Sequence, residues 1–186
     1  MITNVHLAAR NNAHLYQRIC AAHGCRTEID NSLLLCLDTP PRFYGQAVTL
    51  VEGIGDIVAA RVTGAFKDSF CDIEPDLSRY QNLFGADWML LEDHAAPITS
   101  AIEWKLVKSD GELADWEAGW ANGDEQTADF PSQFPPSLLD CPDIHFYSAS
   151  AGQELVGGVL VNDTPPVVGV SNVFELGIGK QELWKA

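Results

Sequence analysis

A pair of glycines near the end of the chain is the pattern most suited to binding a ligand. The segment "VFELGIGKQELW" places Gly177 and Gly179 between a predicted strand and a predicted helix. Backbone N–H groups at a helix N-terminus can hold a pyrophosphate, and Lys180 would add a positive charge. Gly-x-Gly is also common in simple strand-to-helix turns, so both interpretations stay open here. Glu175 and Glu182 bring negative charge toward the same loop, which opposes phosphate binding.

Three other groups have the residue types for metal binding or acid–base chemistry. Cys20, His23 and Cys25 include ligands that zinc prefers, but a helix end rich in small residues accounts for the same stretch. The run "KDSFCDIEPD" carries carboxylates that calcium could bind, but it lacks EF-hand spacing and is typical of a solvated acidic loop. His145 lies in a strand-like run, where a packed or edge histidine is commoner than a base. We therefore expect no metal and assign no catalytic residue.

The elements that would position these residues predict an α+β protein with a mixed, mainly antiparallel sheet and packed helices. Helical periodicity and stop signals predict helices over 5–23 and 111–124, with shorter helical turns at 77–84 and 137–139. The run 55–66 is ambiguous between helix and strand, and the face shared by Ile57, Val58 and Val62 favours a helix. Apolar runs bounded by turn residues predict strands at 32–37, 46–53, 87–92 and 101–109, and three more within 144–174.

Two of these elements carry specific expectations about packing. The turn Asn162–Pro166 is too short for a crossover, so its flanking runs should form adjacent antiparallel strands. In the third long helix, Leu113, Trp116 and Trp120 share one face. Both tryptophans should therefore be largely buried.

Residues 93–100, "DHAAPITS", are a plausible boundary between two α+β regions, 1–95 and 96–186. The two regions could be separate domains or could complete one continuous domain. Both arrangements stay open on the sequence.

Composition excludes some classes of partner. The formal charge is −15, and no Lys or Arg occurs between Ser109 and Gly179. A surface of this sign repels phosphate backbones, so we expect no nucleic-acid partner. No apolar run approaches the roughly 20 residues that span a bilayer, so we expect no membrane partner. The five cysteines are an odd, scattered set, which favours reduced thiols and a cytoplasmic location.

A family resemblance covers roughly residues 100–186. The segment "ELVGGVLVNDTPPVVGVSNVF" is similar to the central hairpin of the Gcn5-related N-acetyltransferase superfamily. In that family the end of the second strand and the following loop bind the pyrophosphate of acetyl-CoA through the motif Gln/Arg-x-x-Gly-x-Gly/Ala. Gly177 and Gly179 match its two small positions, and Phe174 stands where the family has Gln or Arg.

The resemblance implies an acetyltransferase-like second half and a site for acetyl-CoA. Backbone amides near Val173 and Phe174, and those from Gly177 to Lys180, would hold the pyrophosphate. The family has more chain beyond this point than residues 180–186 provide. We therefore expect an unfinished sheet with an open edge, which favours pairing with another strand.

Two functions follow from these observations. The first is an acetyltransferase-like protein of unknown substrate that binds acetyl-CoA weakly or not at all. If it is active, it would use a small-molecule or protein acceptor. The second is a non-catalytic interaction protein that forms a homodimer through the open sheet edge.

Overall fold

The computed structural model describes residues 2–91, 101–121, 132–179 and Leu183. The chain divides into two compact units, Met1–Glu92 and Asp93–Ala186. Each unit contains its own four-stranded sheet. The residues proposed as a boundary, 93–100, lie outside the described ranges. Within those ranges, no helix combines the length and the apolar character needed to cross a membrane.

The first unit opens with helix α1, Asn4–Ala22. At the end of the helix, the backbone N–H groups of His23 and Gly24 donate hydrogen bonds to carbonyls of its last turn. Gly24 adopts a φ of +74°, a left-handed conformation that glycine accepts without steric cost. The buried face of α1 includes Ala13, Ile19 and Cys20.

The sheet of the first unit is covered on both faces. Its strands lie in the order β1-β2-β3-β4, with the first two pairings antiparallel and the third parallel. The strands are β1 (Thr27–Ile29), β2 (Leu33–Cys36), β3 (Ala47–Thr49) and β4 (Phe66–Lys67). Helix α2, Gly55–Arg61, makes the crossover that a parallel pair requires.

Successive side chains of β2 point to opposite faces of the sheet, and both faces are buried, so the strand is a continuous run of leucines. Leu33 and Leu35 pack with Val58 of α2, whereas Leu34 packs on the opposite face with Ala13 of α1. A strand buried on both faces has no polar positions to alternate with.

The second unit is an antiparallel sheet in sequence order, β5-β6-β7-β8. Helix α3, Asp110–Trp120, packs on β7 and β8. Ser109 caps α3, since its Oγ accepts a hydrogen bond from the Glu112 N–H at 3.3 Å. The strands are β5 (Glu103–Leu106), β6 (Ile144–Ala151), β7 (Glu154–Thr164) and β8 (Val167–Glu175), and a 3-10 turn spans Pro136–Asp140.

The α+β class is therefore confirmed, in the form of two mostly antiparallel sheets with three α-helices among the described residues. The predicted hairpin is also confirmed, because β7 and β8 pair antiparallel from Thr164↔Val167 onward. The burial of the tryptophans is confirmed only for Trp116, which has no exposed surface. Trp120 is half-buried and contacts Phe134 edge-on.

Two predictions for the segment 77–91 are wrong. It forms turns and irregular chain rather than a helix at 77–84, and residues 87–91 form no strand. Side chains anchor this segment instead of regular backbone pairing. The Tyr80 hydroxyl donates to the Val62 carbonyl at 2.7 Å, and Trp88 Nε1 donates to the Ser69 carbonyl at 3.0 Å.

Candidate functional site

The loop after β8 is a glycine turn, as the sequence pattern requires. Gly177 and Gly179 have φ angles of +83° and +80°. Residues with a Cβ rarely adopt this conformation, so the turn depends on glycine at both positions. Space is available there as well, since a Cβ built at either glycine meets no atom within 4 Å.

One amide of this loop already has an anionic partner within the chain. The Gly179 N–H donates to Glu175 Oε2 at 3.1 Å. A charge-assisted hydrogen bond of this kind occupies the amide, which is then not available to another acceptor. The Gly179 amide is therefore paired with a carboxylate four residues earlier in the chain.

Phe174 belongs to the core of the second unit rather than to the loop. Its side chain is 8% exposed and contacts the Trp116 ring edge-on, with ring centroids 5.1 Å apart. The ring also lies against two glycines. A Cβ would lie 2.8 Å from it at Gly119 and 2.6 Å from it at Gly158. The Phe174 ring thus occupies a space between Gly119 and Gly158, and a side chain at either position would clash with it.

A bulge in β8 sets the direction of this ring. Gly158 pairs with Phe174 and Leu160 pairs with Ser171, so β8 contains one more residue than β7 between these pairs. Asn172 within the bulge has a φ of +51°. A bulge of this kind redirects the following side chains, and here it turns Phe174 inward.

The remaining predicted site residues are placed as follows. Val173 is half-buried and packs against a separate cluster that includes Val156, Leu183 and Ile178. Lys180 lies outside the described residues. The structure therefore places the Val173 and Phe174 side chains in hydrophobic clusters, and the exposed Gly177 and Gly179 in the loop.

The acidic run at 67–76 serves the fold of the first unit. The Asp68 carboxylate accepts from the backbone N–H groups of Phe70, Cys71 and Ile73 at 3.0 to 3.1 Å. Asp72 Oδ2 accepts from the Gly53 N–H at 2.7 Å. These two carboxylates therefore hold the backbone of the acidic loop and of its neighbour in place.

The Lys67 ammonium contacts an amide oxygen and an aromatic ring. Its Nζ donates to Asn12 Oδ1 at 3.1 Å and lies 4.2 Å from the ring centroid of Trp88. Burial lowers the pKa of the Lys67 ammonium. In the described ranges, no group of three or more His, Cys, Asp or Glu side chains is arranged to hold a metal.

Sequence reasoning missed one contact between thiols. Cys36, the last residue of β2, lies beside Cys20, with 3.9 Å between the two sulfur atoms. Sequence spacing drew attention to Cys20 and Cys25 because they are close along the chain. Cys36 joins them only through the packing of β2 against α1, which short-range spacing does not reveal.

Comparison with protein-family models, with curated proteins and with solved structures gives no match for the chain.

Proposed function

We propose that the second unit is an acetyltransferase-like scaffold of unknown substrate whose acetyl-CoA loop is closed by the chain itself. The observation that carries this proposal is the hydrogen bond from the Gly179 N–H to Glu175 Oε2 at 3.1 Å. The scaffold is supported by the antiparallel β7–β8 hairpin, by α3 packed on it, and by the glycine turn that follows β8.

Three features of the loop oppose the binding of acetyl-CoA. Its pyrophosphate would have to displace the Glu175 carboxylate from the Gly179 amide. It would also enter a stretch, 109–179, that contains no Lys or Arg, so the local field repels it. Phe174, where the family has a polar residue, is committed to the core. Binding should therefore be weak or absent.

Isothermal titration of the protein with acetyl-CoA tests the proposal. At millimolar acetyl-CoA we expect no measurable heat of binding beyond dilution. Micromolar binding that disappears in Gly179→Glu would overturn it, because the loop would then be an open pyrophosphate site. Gly111→Glu is the matched control, since Gly111 is exposed in the first turn of α3 and a Cβ built there meets no atom within 4 Å.

A second candidate function, a non-catalytic interaction protein that forms a homodimer, is favoured by the outer edge of β8. Within the described ranges β8 pairs only with β7. Val168 and Val170 are 61% and 50% exposed, and no charged residue occurs from 167 to 174. Natural edge strands usually carry charge or proline to prevent pairing. An uncharged, apolar edge suits addition of a strand from a second copy.

Sedimentation equilibrium tests the homodimer. The wild-type protein should sediment as a dimer, and Val170→Lys should shift it to monomer by placing a charge on the edge. Ala118→Lys, an exposed change of equal charge on α3, should leave the dimer intact. A monomeric wild-type protein, or a dimer that persists in Val170→Lys, would contradict this candidate.

We also propose a cytoplasmic location, on the odd and scattered cysteines. If the protein is active, its acceptor would be a small molecule or a protein, and the acidic surface argues against nucleic acid as a partner.

A further inference from the structure

Three thiols from different parts of the first unit lie together. Cys20 is in the last turn of α1, Cys25 follows in the turn after it, and Cys36 ends β2. The Cys20 and Cys36 sulfur atoms are 3.9 Å apart. The Cys25 N–H donates to the Cys20 carbonyl at 2.8 Å, which holds the third cysteine beside the first. All three are free thiols.

We propose that Cys20 and Cys36 are a dithiol that a small disulfide such as oxidised glutathione converts to a disulfide, and that Cys25 is the thiol that reacts first. The pair is close enough because a disulfide has sulfur atoms about 2.05 Å apart, so each sulfur needs to move by about 1 Å. Rotation about the side-chain torsions supplies movement of this size.

Accessibility assigns the order of reaction. Cys20 and Cys36 are 0% and 1% exposed, whereas Cys25 is half-exposed. The Cys25 thiol donates to the Thr39 carbonyl at 3.3 Å, and the Cys36 thiol donates to the Asp38 carbonyl at 3.4 Å. Two thiols therefore contact one turn, and the outer one is reachable from solvent.

The same turn borders an open groove. The groove has a volume of about 660 Å³, and Asp38, Thr39 and Gln46 line part of it. It is large enough for a peptide-sized disulfide to approach the turn that Cys25 contacts. Cys25 itself is partly exposed, so the oxidant reaches this thiol without unfolding the unit.

The chemistry balances as two thiol–disulfide exchanges and one internal transfer. The Cys25 thiolate attacks one sulfur of oxidised glutathione, which breaks its S–S bond and releases one glutathione thiolate. The Cys36 thiolate then attacks the Cys25 sulfur of the resulting mixed disulfide and releases the second glutathione thiolate. Cys20 attacks Cys36 sulfur and frees Cys25. In total two thiols lose two electrons and two protons, and one glutathione disulfide becomes two glutathione thiols.

The electrostatics of the cluster predict a slow reaction with a persistent product. Burial, followed by the nearby Cys36 thiol, raises the pKa of Cys20 to about 12. Burial, Cys36 and Asp38 also raise the pKa of Cys25. Few thiolates exist at neutral pH, so the exchange should accelerate as the pH rises. Because the reduced form gains no stabilisation from ionisation, the disulfide should resist reduction.

Peptide mapping tests the assignment. The full-length protein is incubated with oxidised glutathione at pH 8, quenched with acid, alkylated under denaturing conditions and digested. We expect a peptide pair with a mass loss of about 2 Da for two hydrogen atoms, and its fragmentation should place the link at Cys20 and Cys36 with Cys25 alkylated. Cys25→Ser should form the same link about tenfold more slowly, since the accessible thiol is gone.

Cys71→Ser is the matched control, because Cys71 is exposed and outside the cluster. It should leave the rate and the product unchanged. If Cys20 and Cys36 remain fully alkylated at the end of the incubation, the proposal is overturned. A final product linked through Cys25, or an unchanged rate in Cys25→Ser, would also overturn it. The wild-type map tests the Cys20–Cys36 link by itself, whatever the folding of the Cys25→Ser variant.

Discussion

Replacing Phe174 by glutamine introduces the polar residue found in the acetyltransferase motif that this segment resembles, and it tests what this position does. If Phe174 were a degenerate cofactor residue on the surface of the loop, the change would be tolerated. The structure instead places its ring 8% exposed, against Trp116 and between Gly119 and Gly158. We therefore expect Phe174→Gln to destabilise the second unit and to produce no binding of acetyl-CoA.

The expected loss follows from two contributions. Truncating a buried phenylalanine to alanine costs about 3–5 kcal/mol, and the glutamine stem recovers part of this by filling some of the volume. Its amide then lies among aromatic rings without a hydrogen-bond partner, and an unsatisfied buried polar group costs about 1–3 kcal/mol. The net decrease in the free energy of unfolding should be about 3–5 kcal/mol.

Urea unfolding, followed by tryptophan fluorescence, measures this loss. With a slope of about 1–3 kcal/mol per molar urea, the midpoint for the second unit should fall by more than about 1 M. Ala118→Gln is the matched control in the same unit, since Ala118 is exposed on α3 and lies off the β8 edge, and it should change the free energy by about 0.5 kcal/mol or less. A loss below about 1 kcal/mol in Phe174→Gln would refute the packing argument.

Two further perturbations have defined outcomes. Trp116→Ala should lower the free energy of unfolding by about 3–5 kcal/mol, since the side chain is fully buried and its Nε1 donates to the Tyr147 carbonyl at 3.1 Å; a urea midpoint close to that of the wild type would contradict this. Hydrogen bonds from Arg26 lower the pKa of Asp38 to about 2, below its unfolded value of about 3.9. The stabilisation is therefore present above about pH 4 and is lost as the pH falls toward 2, so the urea midpoint of Asp38→Asn should decrease less over that range than the midpoint of the wild type.

Local patterns predict the elements whose burial follows from their own periodicity. The β7–β8 hairpin follows from two apolar runs around Asn162–Pro166, and α3 follows from the face shared by Leu113 and Trp116. The segment 77–91 misleads because its apolar residues are not buried, and Leu83 and Phe84 are among its exposed side chains. Apolar content predicts regular structure only where a surface is available to cover it.

The candidate sites depend on contacts that sequence spacing only partly specifies. Negative charge from Glu175 near the glycine loop is predictable from the sequence, but its hydrogen bond to the Gly179 amide depends on the turn geometry. Cys36 reaches Cys20 across 16 positions of chain. That approach depends on how β2 packs against α1, and no local pattern of residues specifies it.

The affinity of Glu175→Gln for acetyl-CoA, compared with that of the wild-type protein, tests the central claim most directly. The neutral amide removes the negative charge and weakens the internal bond to Gly179. A hydrogen bond to a charged group contributes about 1.5–3 kcal/mol, which corresponds to about a ten- to hundredfold change in affinity. The account predicts heat of binding at millimolar acetyl-CoA for Glu175→Gln and none for the wild type. Equal affinities for the two proteins would contradict it.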